Sequence, residues 1–106
     1  MSRVGNKSFY GNNKWIVKRK KILKRDGYEC QNCRRYYKTK EAKVVHHIYF
    51  FEDYSELGLV NWNLISLCNE CHNKMHNRLT DEATNLGKEY QSKRKVEFNN
   101  YFKNKR

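Results

Sequence analysis

The sequence predicts a single small α+β domain, in which two short strands are flanked by helices and held together by metal. All four cysteines and all four histidines of the 106-residue chain fall between Cys30 and His76. Helical patterns rich in lysine and arginine lie on either side of that segment. Apolar residues make up 38% of the chain, which leaves little material for a hydrophobic core. A structural zinc ion would supply stability, because thiolates gather around it only in the folded state.

Three segments are predicted within this domain. Residues 1–13 are rich in Ser, Gly and Asn and are expected to form a flexible N-terminal arm, unless Phe9 and Tyr10 pin it to the body. Residues 14–80 are expected to form the metal-stapled core. Residues 81–106 are expected to form a basic helical extension of the same domain.

The first helix is predicted over residues 14–25. Trp15, Ile22 and Leu23 make a narrow apolar stripe at helical spacing, and Gly27 is well placed as the residue just past the C-cap. The remaining surface is strongly basic, which indicates either direct contact with phosphates or a solvated helix face. The candidate DNA contacts on this helix are Lys14, Lys18, Arg19, Lys21, Lys24 and Arg25.

Two short strands are predicted between the cysteine pairs. Residues 28–35 are expected to make a tight knuckle, residues 42–48 have the composition of a strand, and residues 61–67 supply the return strand. Residues 68–79 then have the spacing of a helix. The predicted face of that helix carries Cys68, His72, Met75, His76 and Leu79. The candidate N-caps for the helical extension that follows are Thr80 and Asp81.

Two Cys-x-x-Cys pairs separated by 34 residues indicate a closed zinc site. Four thiolates at about 2.3 Å satisfy a tetrahedral ion and leave no open position. We therefore assign Cys30, Cys33, Cys68 and Cys71 to structural zinc. Two disulfides would also fit the even number of cysteines, but they would leave the histidines unexplained.

The histidines predict a second, open metal site. His72 and His76 are four residues apart, so on a helix both imidazoles face the same side and can bind one ion. Successive side chains of a strand point to opposite faces, so one of His46 and His47 is expected to join them while the other faces elsewhere. Three ligands leave a position for water or substrate, which is typical of catalytic sites. A closed site of four imidazoles would require the strand to bulge.

These residues resemble those of the HNH endonucleases, in particular the small phage-type members with a four-cysteine zinc frame. The resemblance rests on the strings RDGYECQNC, VHHI and NLISLCNECH, followed by His76. It implies a ββα-metal core, also called a His-Me finger, in which a two-stranded hairpin packs on a helix with the metal between them.

The resemblance also implies a role for each candidate residue. His46, His72 and His76 would hold the catalytic metal, and His47 would be the general base. Asn63 would brace the loop of the hairpin and orient the base. We expect the ring of His47 to be accessible to solvent and the other three imidazoles to converge on one point.

The implied activity is metal-dependent hydrolysis of phosphodiester bonds, by which the chain would nick double-stranded DNA. Besides structural Zn²⁺, a second divalent cation is expected, with Zn²⁺, Ni²⁺, Co²⁺, Mn²⁺ and Mg²⁺ as candidates. Three imidazoles favour the first three of these, because Mg²⁺ prefers oxygen ligands.

The charge of the chain also favours nucleic acid as the partner. Lysine and arginine number 23 against 11 acidic residues, for a net charge of +12. Arg34 and Arg35, beside the first cysteine pair, are further candidate DNA contacts. No spanning segment or signal peptide is visible, so we expect no membrane partner and a cytoplasmic location, in the host if the chain is phage-encoded. The resemblance suggests phage terminase subunits as partners and leaves open a monomer or a homodimer.

The rival interpretation is a non-catalytic zinc module that binds nucleic acid. It predicts one tightly bound zinc ion and no cleavage. It accounts for the thiols and the positive charge, but it does not require His47 or Asn63.

Overall fold

The computed structural model describes residues 8–104. Residues 8–10 are helical, and single 3₁₀ turns, Ser55–Leu57 and Asn61–Asn63, lie between the two strands. The α-helices are α1, Asn13–Arg25; α2, Gln31–Arg35; α3, Asn69–Asn73; α4, Asn85–Lys93; and α5, Lys95–Asn104. The strands are β1, Val44–His47, and β2, Leu64–Leu67. The predicted α+β class is confirmed.

Helix α1 matches the prediction closely. The side chain of Asn12 caps its first turn by accepting a hydrogen bond from a backbone amide at 2.8 Å. Its buried residues are Trp15, Ile22 and Leu23. The helix ends before Gly27, whose φ of +65° lies in the left-handed region that favours glycine.

The two strands form an antiparallel hairpin with two different faces. His46 lies opposite Ile65, and His47 lies opposite Leu64. Residues directly opposite one another share a face of the sheet. Leu64 packs in the core under α1, whereas Ile65 packs against the core that contains the cysteines. The two adjacent histidines therefore point to opposite faces, as strand alternation predicts.

The helix predicted over residues 68–79 is much shorter in the structure, because α3 ends at Asn73. Thr84 binds the carbonyl groups just beyond that point. Its hydroxyl donates to the carbonyl of Lys74 at 2.6 Å, and its amide donates to the carbonyl of Met75 at 3.1 Å. The predicted length was wrong because these carbonyls are bound by a residue further along the chain.

The residues after α3 consequently leave the predicted helix face. Met75 and Leu79 were predicted on the same face, but Met75 is fully buried whereas Leu79 is 95% exposed. His76 lies outside the helix, in an isolated β-bridge with Ala83. The expectation that His72 and His76 share one helix face is therefore wrong.

Thr84, rather than Thr80 or Asp81, is the N-cap of α4. Its hydroxyl oxygen accepts a hydrogen bond from the amide of Gly87 at 3.1 Å. A Cβ atom at Gly87 would lie 2.2 Å from the carbonyl oxygen of Met75, so only glycine allows this close approach.

Helices α4 and α5 support the long loop between the strands. The ring of Tyr49 stacks on that of Phe98 with ring centres 4.3 Å apart, and its hydroxyl donates to the carbonyl of Gln91 at 2.8 Å. The side-chain amide of Gln91 donates to the carbonyl of Ile48 at 3.0 Å. The C-terminal helices thus hold the loop that leaves β1. Within residues 8–104, no helix combines the length and the apolar character that crossing a bilayer requires.

Candidate active site

The four cysteine thiols form a buried group, the thiol cluster, whose sulfur atoms all lie within 4.8 Å of one another. The sulfur of Cys30 accepts a hydrogen bond from the amide of Cys33 at 3.4 Å, and the sulfur of Cys68 accepts one from the amide of Cys71 at 3.4 Å. The two knuckles therefore share one geometry. Four buried sulfurs at this spacing suit a closed structural zinc site.

The ionisation of the thiols depends mainly on burial. Burial raises the pKa of Cys33 to about 12, and it also raises the pKa of Cys71. Burial acts in the same direction on Cys68, but hydrogen bonds from the amide and thiol of Cys71 outweigh it and lower the pKa of Cys68 to about 7. Without a cation, Cys33 and Cys71 would therefore hold their protons, whereas a divalent cation displaces the protons from the thiols that bind it.

Asn32 links the thiol cluster to the C-terminal helices. Its side-chain amide donates to the sulfur of Cys71 at 3.4 Å, and its side-chain oxygen accepts from the hydroxyl of Tyr90 at 2.8 Å. Hydrogen bonds from such neighbouring groups orient thiolate ligands and stabilise their negative charge.

All four imidazoles line one cavity of about 690 Å³, the histidine cavity. His46 comes from β1, His72 from α3, and His76 from the segment after α3. The ring centre of His72 lies 5.2 Å from that of His46 and 6.2 Å from that of His76. The fold thus brings together histidines from three separate elements.

The chemistry of these donors fits a divalent cation. Two imidazoles that bind one tetrahedral ion through nitrogens about 2 Å away have ring centres roughly 5 Å apart. His46 and His72 are at this separation, and His76 is farther away. Across residues 8–104, the thiol cluster is the one group of three or more donor side chains whose ligand atoms all lie within 4.8 Å. The three imidazoles therefore face a common space but must approach further to share an ion.

The imidazoles of His46, His47 and His72 are held in their neutral form. Burial lowers the pKa of His46 well below its usual value, and the neighbouring imidazoles lower it further. Burial likewise lowers the pKa values of His47 and His72. Neutral imidazole is the form that binds a metal ion or accepts a proton.

The two ring nitrogens of His47 have different partners. Nε2 lies 3.1 Å from the carbonyl oxygen of Gly58, which can only accept, so Nε2 carries the proton and donates. Nδ1 is then unprotonated, and it accepts a hydrogen bond from the hydroxyl of Tyr10 at 3.5 Å. The ring is therefore oriented with its basic nitrogen away from the backbone.

The expectation of a solvent-accessible His47 ring is wrong, because the side chain is only 5% exposed. Trp15 stacks on it at a ring-centre distance of 5.0 Å, and Phe9 and Phe51 lie at 5.8 Å and 5.6 Å. Gly58 makes room for this aromatic cover, since a Cβ atom there would lie 2.8 Å from the ring of Phe51 and 3.0 Å from that of Phe9.

Asn63 holds the loop that leads to Gly58. Its side chain is fully buried, and its oxygen accepts a hydrogen bond from the amide of Tyr49 at 2.7 Å. Its side-chain nitrogen donates to the carbonyls of Tyr49, at 3.1 Å, and Leu57, at 3.3 Å. Leu57 directly precedes Gly58, so Asn63 positions the backbone that orients His47.

Comparisons with known proteins point to one family. The sequence model of the HNH endonuclease family matches residues 30–78. Among solved structures, the chain is similar to the HNH endonuclease of the deep-sea thermophilic bacteriophage GVE2, whose crystal structure contains a manganese ion. The two are 35% identical with a TM-score of 0.64, and the match covers 65% of this chain and 75% of that chain. No curated protein sequence matches.

This chain belongs to the HNH endonuclease family. The resemblance predicted from the cysteine and histidine motifs is confirmed, and so is the small α+β fold with its four clustered cysteines. Membership makes the protein a nuclease whose substrate is nucleic acid.

Most of the basic residues proposed for DNA contact lie on the surface of this HNH endonuclease. Lys18 donates to the side-chain oxygen of Asn61 at 2.6 Å. Arg19 donates to the carbonyl of Lys43 at 3.0 Å and lines the histidine cavity. Four further members of this set are exposed, and none of them makes an ion pair within residues 8–104. They are Lys14, Lys21, Lys24 and Arg34.

Arg25 has an internal structural role in this HNH endonuclease. Its guanidinium pairs with Asp26 at 2.9 Å and donates to the carbonyls of Asn61, at 3.0 Å, and Leu64, at 2.7 Å. It thereby ties the end of α1 to the start of β2.

Arg35 is also engaged internally. Its guanidinium pairs with Glu89 at 2.6 Å and lies over the rings of Tyr36 and Tyr90, with its carbon 5.4 Å and 5.2 Å from their centres. Neither Arg35 nor Arg25 lines the histidine cavity, so the structure does not bring them to the candidate catalytic residues.

Sequence reasoning missed several residues of the histidine cavity. Arg78 and Asp81 line it because the chain turns back after the short α3, and Tyr10 lines it because residues 8–10 pack over His47. Only the aromatic character of Phe9 and Tyr10 gave a signal of this contact. Nothing in the local pattern around Arg78 marks it as a cavity residue.

Proposed function

We propose that this HNH endonuclease hydrolyses phosphodiester bonds of double-stranded DNA, one strand at a time, with a divalent cation. The observation that carries the proposal is the arrangement of His47. Its Nε2 is hydrogen-bonded to the carbonyl of Gly58. The lone pair of its Nδ1 faces the hydroxyl of Tyr10, a residue that lines the histidine cavity. A base that is buried, neutral and fixed in one tautomer beside three further imidazoles suits proton abstraction from water.

The proposed metal ligands are His46, His72 and His76. A divalent cation bound there would act as a Lewis acid that stabilises negative charge on the phosphate. Imidazole nitrogens suit Zn²⁺, Ni²⁺ and Co²⁺. The manganese ion in the related phage structure supports Mn²⁺ as a further candidate.

In the proposed reaction, Nδ1 of His47 takes a proton from a water molecule aligned behind the scissile phosphorus. The water oxygen forms a bond to phosphorus as the bond to the 3′ oxygen breaks, which gives a 5′-phosphate and, after protonation by solvent, a 3′-hydroxyl. The carbonyl of Gly58 keeps its hydrogen bond to Nε2 throughout, so the imidazolium that forms is stabilised in place.

Positive side chains around the cavity support binding of the DNA backbone. Arg19 and Arg78 line the histidine cavity, from α1 and from the segment after α3. The exposed lysines of α1 extend this positive surface. Such contacts neutralise phosphates and fix the position of the duplex without reading its sequence.

The function is tested by nicking of supercoiled plasmid after dialysis against a mild chelator and after return of Mn²⁺, Zn²⁺, Ni²⁺, Co²⁺ or Mg²⁺. We expect no open-circular product without an added ion and restored nicking with at least one of them. Zinc content is measured in parallel, because zinc retained by the thiol cluster shows that the fold survived. If the protein retains its zinc and binds DNA but cleaves it with none of these ions, the result would support the non-catalytic zinc module instead.

The hydroxyl of Tyr10 lies where a water molecule bound to Nδ1 of His47 would have to be. Tyr10→Phe removes that hydroxyl and keeps the ring, so the competing hydrogen bond need not be broken before the base is used. A hydrogen bond of this kind contributes about 1 kcal/mol, so we expect the nicking rate to rise roughly two- to fivefold. Single-turnover rates on plasmid DNA measure the effect.

Tyr28→Phe is the matched control, because Tyr28 is 57% exposed and does not line the cavity. Its nicking rate should equal that of the parent. A slower rate in Tyr10→Phe than in this control would mean that the hydroxyl assists catalysis instead of competing with water.

The similarity to a bacteriophage enzyme supports a phage origin for this chain and action in the host cytoplasm. We further propose terminase subunits as partners in genome packaging. One ββα unit per chain is expected to cut one strand, so double-strand breaks would require a homodimer. Light scattering with and without DNA distinguishes a monomer from a dimer.

A further inference from the structure

The loop of residues 76–83, called here the 76–83 loop, connects the histidine cavity to an exposed apolar side chain. Arg78 and Asp81 line the cavity, whereas the next residue after Arg78, Leu79, is 95% exposed. A single exposed leucine is common on protein surfaces and has no meaning by itself. Leu79 is different in two respects, because it lies beside the candidate cleavage site and its loop is held by a network of hydrogen bonds.

The loop is built around Asn77. The side-chain oxygen of Asn77 accepts hydrogen bonds from the amides of Leu79, at 2.8 Å, and Thr80, at 3.3 Å. The backbone carbonyl of Asn77 accepts a hydrogen bond from the amide of Asp81 at 2.7 Å, and the backbone amide of Asn77 donates to the carbonyl of Glu82 at 2.7 Å. The turn is completed by Asp81, whose φ is +60°. These bonds fix the backbone on both sides of Leu79, so its side chain projects from a defined position.

We propose that Leu79 is an apolar wedge that enters the minor groove of DNA and unstacks a base step next to the scissile phosphate, while Arg78 binds a neighbouring phosphate. The inference rests on the proposed function. Side chains such as leucine, held rigidly beside positive charge, insert between base pairs in proteins that kink DNA. The duplex is the occupant that the net charge of +12 favours.

The wedge would set where the chain cuts. Pyrimidine–purine steps such as TA are the easiest to unstack and kink, so nicks should concentrate beside them. This preference arises without hydrogen bonds to base edges. Nick positions mapped on a long duplex by the parent protein therefore form the first measurement.

The proposal is tested with Leu79→Ala on a short duplex that carries 2-aminopurine at the mapped step. The parent should raise the 2-aminopurine fluorescence on binding and nick the duplex, whereas Leu79→Ala should give no rise and nick about tenfold more slowly. A mismatch at the same step unstacks it in advance and should restore the rate of Leu79→Ala. Leu79→Met keeps an apolar side chain and should resemble the parent.

Val96→Ala is the matched control, because Val96 is 70% exposed on α5 and does not line the cavity. Equal nicking by Leu79→Ala and Val96→Ala on the intact duplex would overturn the wedge while leaving the nuclease assignment intact. A change in molar mass for Leu79→Ala would also overturn it, because Leu79 would then cover a protein contact. Failure of the parent to nick any duplex would instead refute the proposed function.

Discussion

Replacement of His47 by alanine is expected to lower the rate of DNA nicking by about 10²–10⁴-fold, which is the usual contribution of a general base. The backbone fixes the tautomer of His47 through the 3.1 Å contact of Nε2 with the carbonyl of Gly58, which leaves Nδ1 basic. Its ring lies on the opposite face of the hairpin from His46, so the proposed metal ligands should be unaffected. Plasmid nicking, DNA affinity and zinc content are measured together, and the last two should stay within about twofold of the parent values.

Two further variants separate the base from the metal site and from the packing. His47→Gln keeps an N–H donor for Gly58 and much of the volume but has no basic nitrogen, so it should be as inactive as His47→Ala. His76→Ala removes a proposed metal ligand, so its activity should partly return when more divalent ion is added. Parental activity in either His47 variant would refute the assignment of the base.

Removal of zinc from the thiol cluster is expected to unfold the domain. The four cysteines make up half of the buried residues of their core, together with Ile48, Leu67, Met75 and Tyr90. Structural zinc contributes roughly 10–16 kcal/mol to the folding of small zinc domains. The net stability of a small domain is only about 5–15 kcal/mol. Circular dichroism should therefore show loss of helix and of a cooperative melting transition after strong chelation.

Cys68→Ser provides the same test without a chelator. Cys68 is 1% exposed, and hydrogen bonds from Cys71 outweigh its burial and lower its pKa to about 7. We expect this variant to bind less than one zinc per chain and to lack a cooperative transition. Return of zinc should refold the chelated parent but not the variant. A cooperative transition in the zinc-free parent would show that the core is sufficient by itself.

Local patterns were enough to predict the parts of the fold that depend on neighbours in sequence. The stripe of Trp15, Ile22 and Leu23 predicted α1, since those residues recur with the helical period. Strand alternation predicted that His46 and His47 point to opposite faces. The spacing of the cysteine pairs predicted the thiol cluster, because few other arrangements use four cysteines in this way.

The parts that could not be predicted depend on contacts between distant segments. Helix α3 ends early because Thr84 binds the carbonyls of Lys74 and Met75, and no local signal marks that competition. Arg25 looked like a free cation on a basic helix, yet its guanidinium bonds to carbonyls of residues 36 and 39 positions away. The basic composition of the helix predicted a DNA contact for Arg25, but it could not predict that the guanidinium is hydrogen-bonded within the protein.

The cover over His47 is the largest difference between the expected and the observed site. Residues 1–13 have the composition of a loose arm, but Phe9 packs on Phe51 with ring centres 4.2 Å apart. This packing requires the absence of a side chain at Gly58. The Ser, Gly and Asn content of residues 1–13 could not predict this packing, because it depends on contacts with Phe51 and Gly58, which are distant in sequence.

Cys71 and His72 are consecutive residues of α3, yet one side chain belongs to the thiol cluster and the other to the histidine cavity. Loss of the proposed structural ion, for example by oxidation of the thiols, is therefore expected also to displace an imidazole on which the proposed cleavage depends. We expect a chain that has lost this ion to lose cleavage activity as well. Cleavage of DNA would then be confined to chains that have folded around their structural ion.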